Sequence, residues 1–140
     1  MSPKEFTSNF LKKMLEWEDW YYAEKKKLEG EASLECIRTI SQESRARLEL
    51  VLHPYLTEAA FNTLGQAKLE TLGVGRPRLY DQETVSSVEN APNKFAVITK
   101  NKKLQDRYSK YLILRKNDDF KIDQVYQGIE GVTWLKKHSI

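Results

Sequence analysis

Apolar residues recur at helical spacing through the first half of the chain and at strand spacing through much of the second. Phe6, Phe10, Met14, Trp17, Tyr21 and Leu28 fall within about 80° of one helix face at 100° per residue. Leu11, Leu15 and Tyr22 widen that face on one flank, and Trp20 widens it on the other. Glu5, Lys12, Glu16, Asp19, Lys26 and Lys27 lie opposite, so the pattern predicts an amphipathic helix with a broad aromatic stripe. Ser2-Pro3 supplies an N-cap and a proline whose missing N–H costs nothing at the first helical position. Gly30 ends the segment. A second helix carries Leu34, Ile37, Ile40, Ser44, Leu48 and Val51. It must stop before His53-Pro54, because proline disfavours helical geometry in the residue ahead of it. Thr57 caps a third helix through Ala59, Ala60, Phe61, Leu64 and Leu69, with Gly73 and Gly75 closing it.

After residue 80 the period changes. Thr84 to Val88 is a short β-like run, Ala91-Pro92-Asn93 a turn, and Phe95 to Thr99 a strand rich in β-formers. Asn101-Lys102-Lys103 breaks the pattern before a strand from Tyr108 to Arg115. Asn117-Asp118-Asp119 then turns the chain into a last strand, Phe120 to Tyr126. Leu112, Leu114, Phe120 and Ile122 are the expected packing residues of this hairpin. Gly128 and Gly131 end the regular part, and Val132 to Leu135 forms a short closing turn. Helices first and consecutive strands afterwards predict one α+β domain over residues 1–140, its helices packed on one face of a curved antiparallel sheet.

Composition narrows the classes. With 40% hydrophobic and 31% charged residues, the 140-residue chain reads as globular. A net charge of +3 demands no polyanionic partner and weakly disfavours a mimic of nucleic acid. The single cysteine, Cys36, excludes an internal disulfide framework and suits a reducing cytoplasm, the expected location. Charges every few residues leave no signal-peptide core, and no run approaches the ~18 apolar residues of a membrane helix.

Catalytic signatures are sparse. There is no GxxxxGK[ST] phosphate loop and no GxSxG elbow. Gly73-Val74-Gly75-Arg76 lacks the preceding strand of a phosphate site and reads as a helix-end loop. His53 is a helix-end residue, His138 belongs to a frayed tail, and neither has a metal-ligand spacing. Cys36 falls beside the apolar stripe of the second helix, where a small buried thiol is expected. Asp81 beside Tyr80, Asp106 near Tyr108 and Asp123 near Tyr126 are the available acid–tyrosine pairs for a pocket enzyme. Asp123, however, alternates with Ile122 on an outward strand face. Lys25-Lys26-Lys27 and Lys100-Asn101-Lys102-Lys103, with Tyr108 and Tyr111, could meet nucleic acid, but Glu24, Glu29, Glu31, Asp106 and Asp119 dilute that field. The first helix is more telling, because Trp17, Trp20, Tyr21 and Tyr22 cannot all point inward. Trp17 and Tyr21 are core. Trp20 and Tyr22, with Glu16 and Asp19 beside them, suit a protein-binding surface, and Asp118 and Asp119 at the hairpin tip are further contact candidates.

The order LEWEDW, HPYLTEAA, RPRLYDQETVSSVENAPNKFAVITKN and RYSKYLILRKNDDFKIDQVYQ resembles bacterial immunity proteins with a nuclear transport factor 2-like fold. The resemblance covers nearly the whole chain and is most specific from Arg76-Pro77 through Tyr80-Asp81 to Val97-Ile98-Thr99. Such proteins commonly carry tryptophan where Phe120 stands, and either ring fills a core between sheet and helix. The resemblance implies a cone: helices over a curved sheet with a pocket at its open end. It also implies a cytoplasmic, non-enzymatic binder that neutralises a cognate polymorphic toxin by occlusion, as a monomer or homodimer. No cofactor, metal, nucleic-acid or membrane partner is expected, and no catalytic or interface residue carries over. Two alternatives stay open: a pocket enzyme or ligand binder using Tyr80, Asp81 or Tyr108, and a dimerising accessory domain.

Overall fold

In the computed structural model, which describes residues 1–30, 33–129 and 133–140, the local signals start the helices where the sequence puts them. Helix α1 (Pro3–Lys27) begins at Ser2, whose hydroxyl accepts the Glu5 N–H at 3.1 Å. Phe6, Phe10, Met14, Trp17 and Tyr21 are buried, while Leu28 is only half-buried. Helix α2 (Leu34–Leu52) is capped by Ser33 and returns alongside α1. The Trp17 indole N–H donates to both the carbonyl and the hydroxyl of Ser44, each at 3.1 Å, tying the two helices together. Only the C-terminal half of the expected α2 stripe is covered. Ser44, Leu48 and Leu52 are buried, but Leu34 and Ile37 remain 63% and 45% exposed. Cys36 lies on that uncovered half and is exposed, not the buried thiol expected.

Thr57 accepts the Ala60 N–H at 3.1 Å and opens α3 (Glu58–Ala60), which runs through a π-helical turn (Phe61–Gly65) into α4 (Gln66–Thr71). The helix closes on Leu72, left-handed at φ 49°, rather than on Gly73 or Gly75. A left-handed leucine costs roughly 1–2 kcal/mol. Packing of its side chain against the core offsets that strain.

Among the described residues five strands follow as a meander in the order β1 to β5: β1 (Gln82–Ala91), β2 (Lys94–Asn101), β3 (Arg107–Lys116), β4 (Asp119–Ile129) and β5 (Thr133–Lys136). Each neighbouring pair is antiparallel. Left-handed Asn93, and left-handed Asn117 and Asp118, make the β1–β2 and β3–β4 turns, as the polar breaks predict. In β4 an extra residue, Asp123, falls between the pairs Ile113–Ile122 and Leu112–Gln124, forming a bulge. Its carboxylate accepts the Thr57 hydroxyl at 2.9 Å and so braces the α3 cap against the sheet.

Three strand expectations are corrected. The core takes Tyr111 and Ile113, not Leu112 and Leu114. Four consecutive apolar residues carry no period-two signal from which to choose a face. The closing turn is instead strand β5, with Val132 and Gly131 outside the described residues. Gly128 does not end regular structure but lies within β4. A Cβ there would meet the Thr133 carbonyl at 2.7 Å and the Trp134 ring at 3.1 Å, so close approach is what requires glycine. Nor is the tail frayed: Ile140 is buried, and the Tyr80 hydroxyl donates to its carbonyl at 2.9 Å.

Rings fill the space between α1 and the inner face of the sheet. Tyr55 packs 5.2 Å from Phe6 and 5.4 Å from Phe10, Phe120 packs 5.6 Å from Phe6, and Tyr111 meets Phe10 edge-on at 6.4 Å. Each large apolar side chain buried here contributes about 1.5–3 kcal/mol.

Candidate partner-binding surfaces

The C-terminal end of α1 presents Glu16, Trp17, Glu18, Asp19, Trp20, Tyr21 and Tyr22, and the structure gives most of them internal partners. Glu18 is 1% exposed, and its two carboxylate oxygens accept the backbone N–H groups of Leu79 and Tyr80 at 3.0 and 3.1 Å. Asp19 receives Arg76 at 3.2 Å and Arg78 at 2.9 Å, and Arg78 continues to Asp81 at 2.9 Å. Arg47 stacks 3.9 Å above the Trp20 ring, and Arg76 lies 3.8 Å above Tyr22. Adjacent α1 residues thus clamp the 76–81 segment against the sheet. Asn101 holds that segment from the other side. Its amide donates to the carbonyls of Arg78 and Leu79, and its oxygen accepts the N–H groups of Lys103 and Leu104 at 2.9 Å.

Trp20 and Tyr22 are half-buried, as their flank positions predict, and Glu16 is exposed. Glu16 and Trp20 border a shallow groove of ≈ 250 Å³ with Arg47 and Leu50. Asp118 and Asp119 are exposed at the β3–β4 turn. That turn lies beyond Phe120, which packs on Phe6. Fourteen residues, or about 21 Å of helix, separate Phe6 from Trp20, so the two groups of contact candidates sit toward opposite ends of the molecule.

The pocket candidates Tyr80, Asp81 and Tyr108 do not converge on one site. Tyr80 is buried, its hydroxyl bonded to the tail; burial pushes its ionisation well above the usual range, and Tyr111 and Glu18 add to the rise. Asp81 is held by Arg78 and, at 3.9 Å, by Lys102. Tyr108 pairs across Gly128 on the outer sheet face, away from Tyr80. A cavity of ≈ 380 Å³ touches Tyr80 and Asp81 but not Tyr108. Arg76, of the glycine loop, bonds the Gly75 carbonyl at 2.8 Å as well as Asp19. His53 caps α2 and stacks on Phe61 at 3.8 Å. Among the described residues no group of His, Cys, Asp or Glu could hold a metal ion, and no helix is long and apolar enough to cross a membrane.

Two cations escaped the sequence reading. Lys68 is buried, its ammonium donating to the Gly73 carbonyl at 2.7 Å; burial lowers its pKa, and Glu18 partly counteracts that. Lys137, beside a ≈ 690 Å³ cavity between the ends of β4 and β5 and the tail, has its pKa lowered to about 8. Burial is the main cause, followed by repulsion from Lys68 and Arg107. For Glu18 a signal was available: it stands only about 40° from the edge of the α1 apolar stripe.

Aromatic rings thus fill the space between α1 and the sheet, and rings with cations stacked on them lie at the α1 flank and on the outer strands. The chain matches the family model of the NTF2 fold immunity proteins over residues 2–138, and it belongs to that family. Neither the curated proteins nor the solved structures gave a match. Membership carries a role in toxin immunity, with a protein toxin as the general kind of partner, and accounts for helices laid on a curved five-stranded sheet.

Proposed function

We propose that this protein binds a cognate polymorphic toxin domain in the cytoplasm and neutralises it by occlusion, without catalysis. The family match over residues 2–138 carries the reading. The aromatic packing between α1 and the sheet supports it, because Phe and Tyr side chains occupy the space where a pocket enzyme would hold substrate. Glu16, Asp19, Trp20 and Tyr22 on the helical side form one candidate contact surface, to be tested by Trp20→Ala. Asp118 and Asp119 are the proposed contacts at the hairpin tip. The test is growth rescue. A candidate toxin domain is expressed with and without this chain, in cells whose growth the domain alone arrests. Restored growth is the expected result. Unrelieved arrest, with both proteins shown to be soluble and expressed, would sink the reading.

A further inference from the structure

The strands carry two faces, and the helices cover only the inner one. Register sets Lys100, Tyr108, Gly128 and Trp134 side by side on the outer face. Ile98, Lys110, Tyr126 and Lys136 form the next row. Leu112 and Leu114 extend the face toward the β3–β4 turn, with Lys94 beside Leu114. Apart from Gly128, these residues are half-buried or exposed, and none belongs to the buried core cluster. The Lys110 ammonium lies 5.0 Å from the ring centres of both Tyr126 and Trp134, holding the two rings in place. Among the described residues, Lys94, Lys100, Lys110 and Lys136 make no ion pair. Register places one carboxylate, Glu83, opposite Lys100.

We propose that this outer face docks an acidic surface of the toxin domain, an inference that rests on the immunity reading and names the partner's chemistry. Apolar Ile98, Leu112 and Leu114 lie among fixed aromatic rings, with lysines around them. An apolar centre with a charged rim is the anatomy of a protein interface, and unpaired rim charges steer a partner of opposite sign. A single nucleic-acid strand needs a groove that tracks its backbone and ring faces free for stacking. Here Lys110 occupies the Tyr126 and Trp134 faces, and the surface is an open sheet about 20 Å on a side. The same lysines repel a cationic cleft. The toxin surface covered is therefore acidic, not the basic substrate groove of a nuclease.

The test uses the full chain and the toxin domain identified by growth rescue, carrying an inactivating substitution. Lys100→Glu combined with Lys136→Glu should weaken binding about 100-fold at low salt, mostly through slower association. The gap should narrow as salt shortens the screening length toward about 3 Å. Lys94→Glu with Lys110→Met is the second variant, and thermal melting checks both; if one pair fails to fold, the other decides. Undiminished affinity of a folded pair overturns the surface while rescue by the wild type keeps the immunity reading intact. Failed rescue by the wild type removes the reading underneath. A fluorescent oligothymidine probes the competing occupant. If the wild type binds it, the charge-reversed protein does not, and toxin affinity is unchanged, the face is a nucleic-acid surface and the proposal falls.

Discussion

The end of α1 and the outer face of the sheet are both rich in aromatic rings and cations, yet they are built to opposite ends. At the helix end three guanidinium groups have partners inside the molecule: Arg76 and Arg78 bind Asp19, Arg78 binds Asp81, and Arg47 covers Trp20. On the sheet, Lys110 props two rings, and Lys94, Lys100 and Lys136 meet no carboxylate among the described residues. The first arrangement is closed electrostatically and holds a loop. The second leaves charge uncompensated, which is what a partner of opposite sign can use. Aromatic density alone therefore does not locate an interface; the balance of charge around it does.

The comparison breaks most sharply at Glu18. Replacing it with leucine leaves the Leu79 and Tyr80 N–H groups without their acceptors in a buried place. The expected loss is about 2–5 kcal/mol by urea denaturation, with Glu18→Gln costing less because one acceptor oxygen survives. If the helix end is only a clamp, whatever Glu18→Gln protein remains folded should bind toxin like the wild type. Next in size is Gly128→Ala. A methyl 2.7 Å from the Thr133 carbonyl forces β5 to shift and pushes on Trp134, at a cost of about 1–3 kcal/mol. Because Trp134 belongs to the outer face, toxin affinity measured by calorimetry should fall along with stability. Unaltered affinity would show that the Trp134 corner lies outside the interface.

A pH titration separates interior charge from surface charge. The folded Lys137 pKa of about 8 lies below the ordinary 10.5, so between those values the unfolded chain binds more protons than the folded one. Stability should consequently be lowest below pH 8 and rise as pH climbs toward 10.5. The expected gain is about 1–2 kcal/mol once the partial solvent contact of this half-buried group is allowed for. Tyr80 and Tyr111 act oppositely: burial raises both, so above pH 10 only the unfolded tyrosines ionise and stability falls. Lys137→Met should be more stable than the wild type at neutral pH and lose the Lys137 part of the rise, leaving only what Lys68 contributes, while keeping the fall above 10. Melting curves across pH read all three features, and a flat wild-type profile from 8 to 10 would mean that Lys137 is better solvated than its surroundings indicate.

What was legible in the sequence was local. Ser2 and Thr57 cap helices through a hydroxyl three residues from its N–H, and Asn93, Asn117 and Asp118 turn strands through their own backbone angles. Properties that depend on distant partners were not legible. Asp19 meets arginines 57 and 59 residues away, and nothing in the pattern of α1 distinguishes a carboxylate destined for them from one facing solvent. The face of β3 was hidden by its unbroken apolar run, and strand β5 by a glycine whose reason is the Trp134 ring above it. Of the outer-face lysines only Lys100 stood out in the sequence, within a basic run, because strand register, not sequence spacing, brings Lys94, Lys110 and Lys136 to its side.

The smallest effect bears most directly on the comparison. Trp20 packs against the core from a half-buried position, with Tyr21 stacked at 6.2 Å and Arg47 at 3.9 Å. Trp20→Ala should therefore cost stability through lost packing and about 0.5–1 kcal/mol of cation–π attraction, without unfolding the protein. Two surfaces then predict different binding. If the helix flank is the interface, removing a central tryptophan should weaken toxin affinity at least tenfold, the scale of an aromatic anchor. If the outer sheet face is the interface, affinity should stay within about twofold, because the α1 packing lies on the other side of the sheet and its loss leaves the lysine field unchanged. Measured beside Lys100→Glu/Lys136→Glu at the same salt, the two numbers should not fall together. A large loss from Trp20→Ala with none from the lysine pair would return the interface to the helix, and with it the glutamate and aspartate that flank the ring.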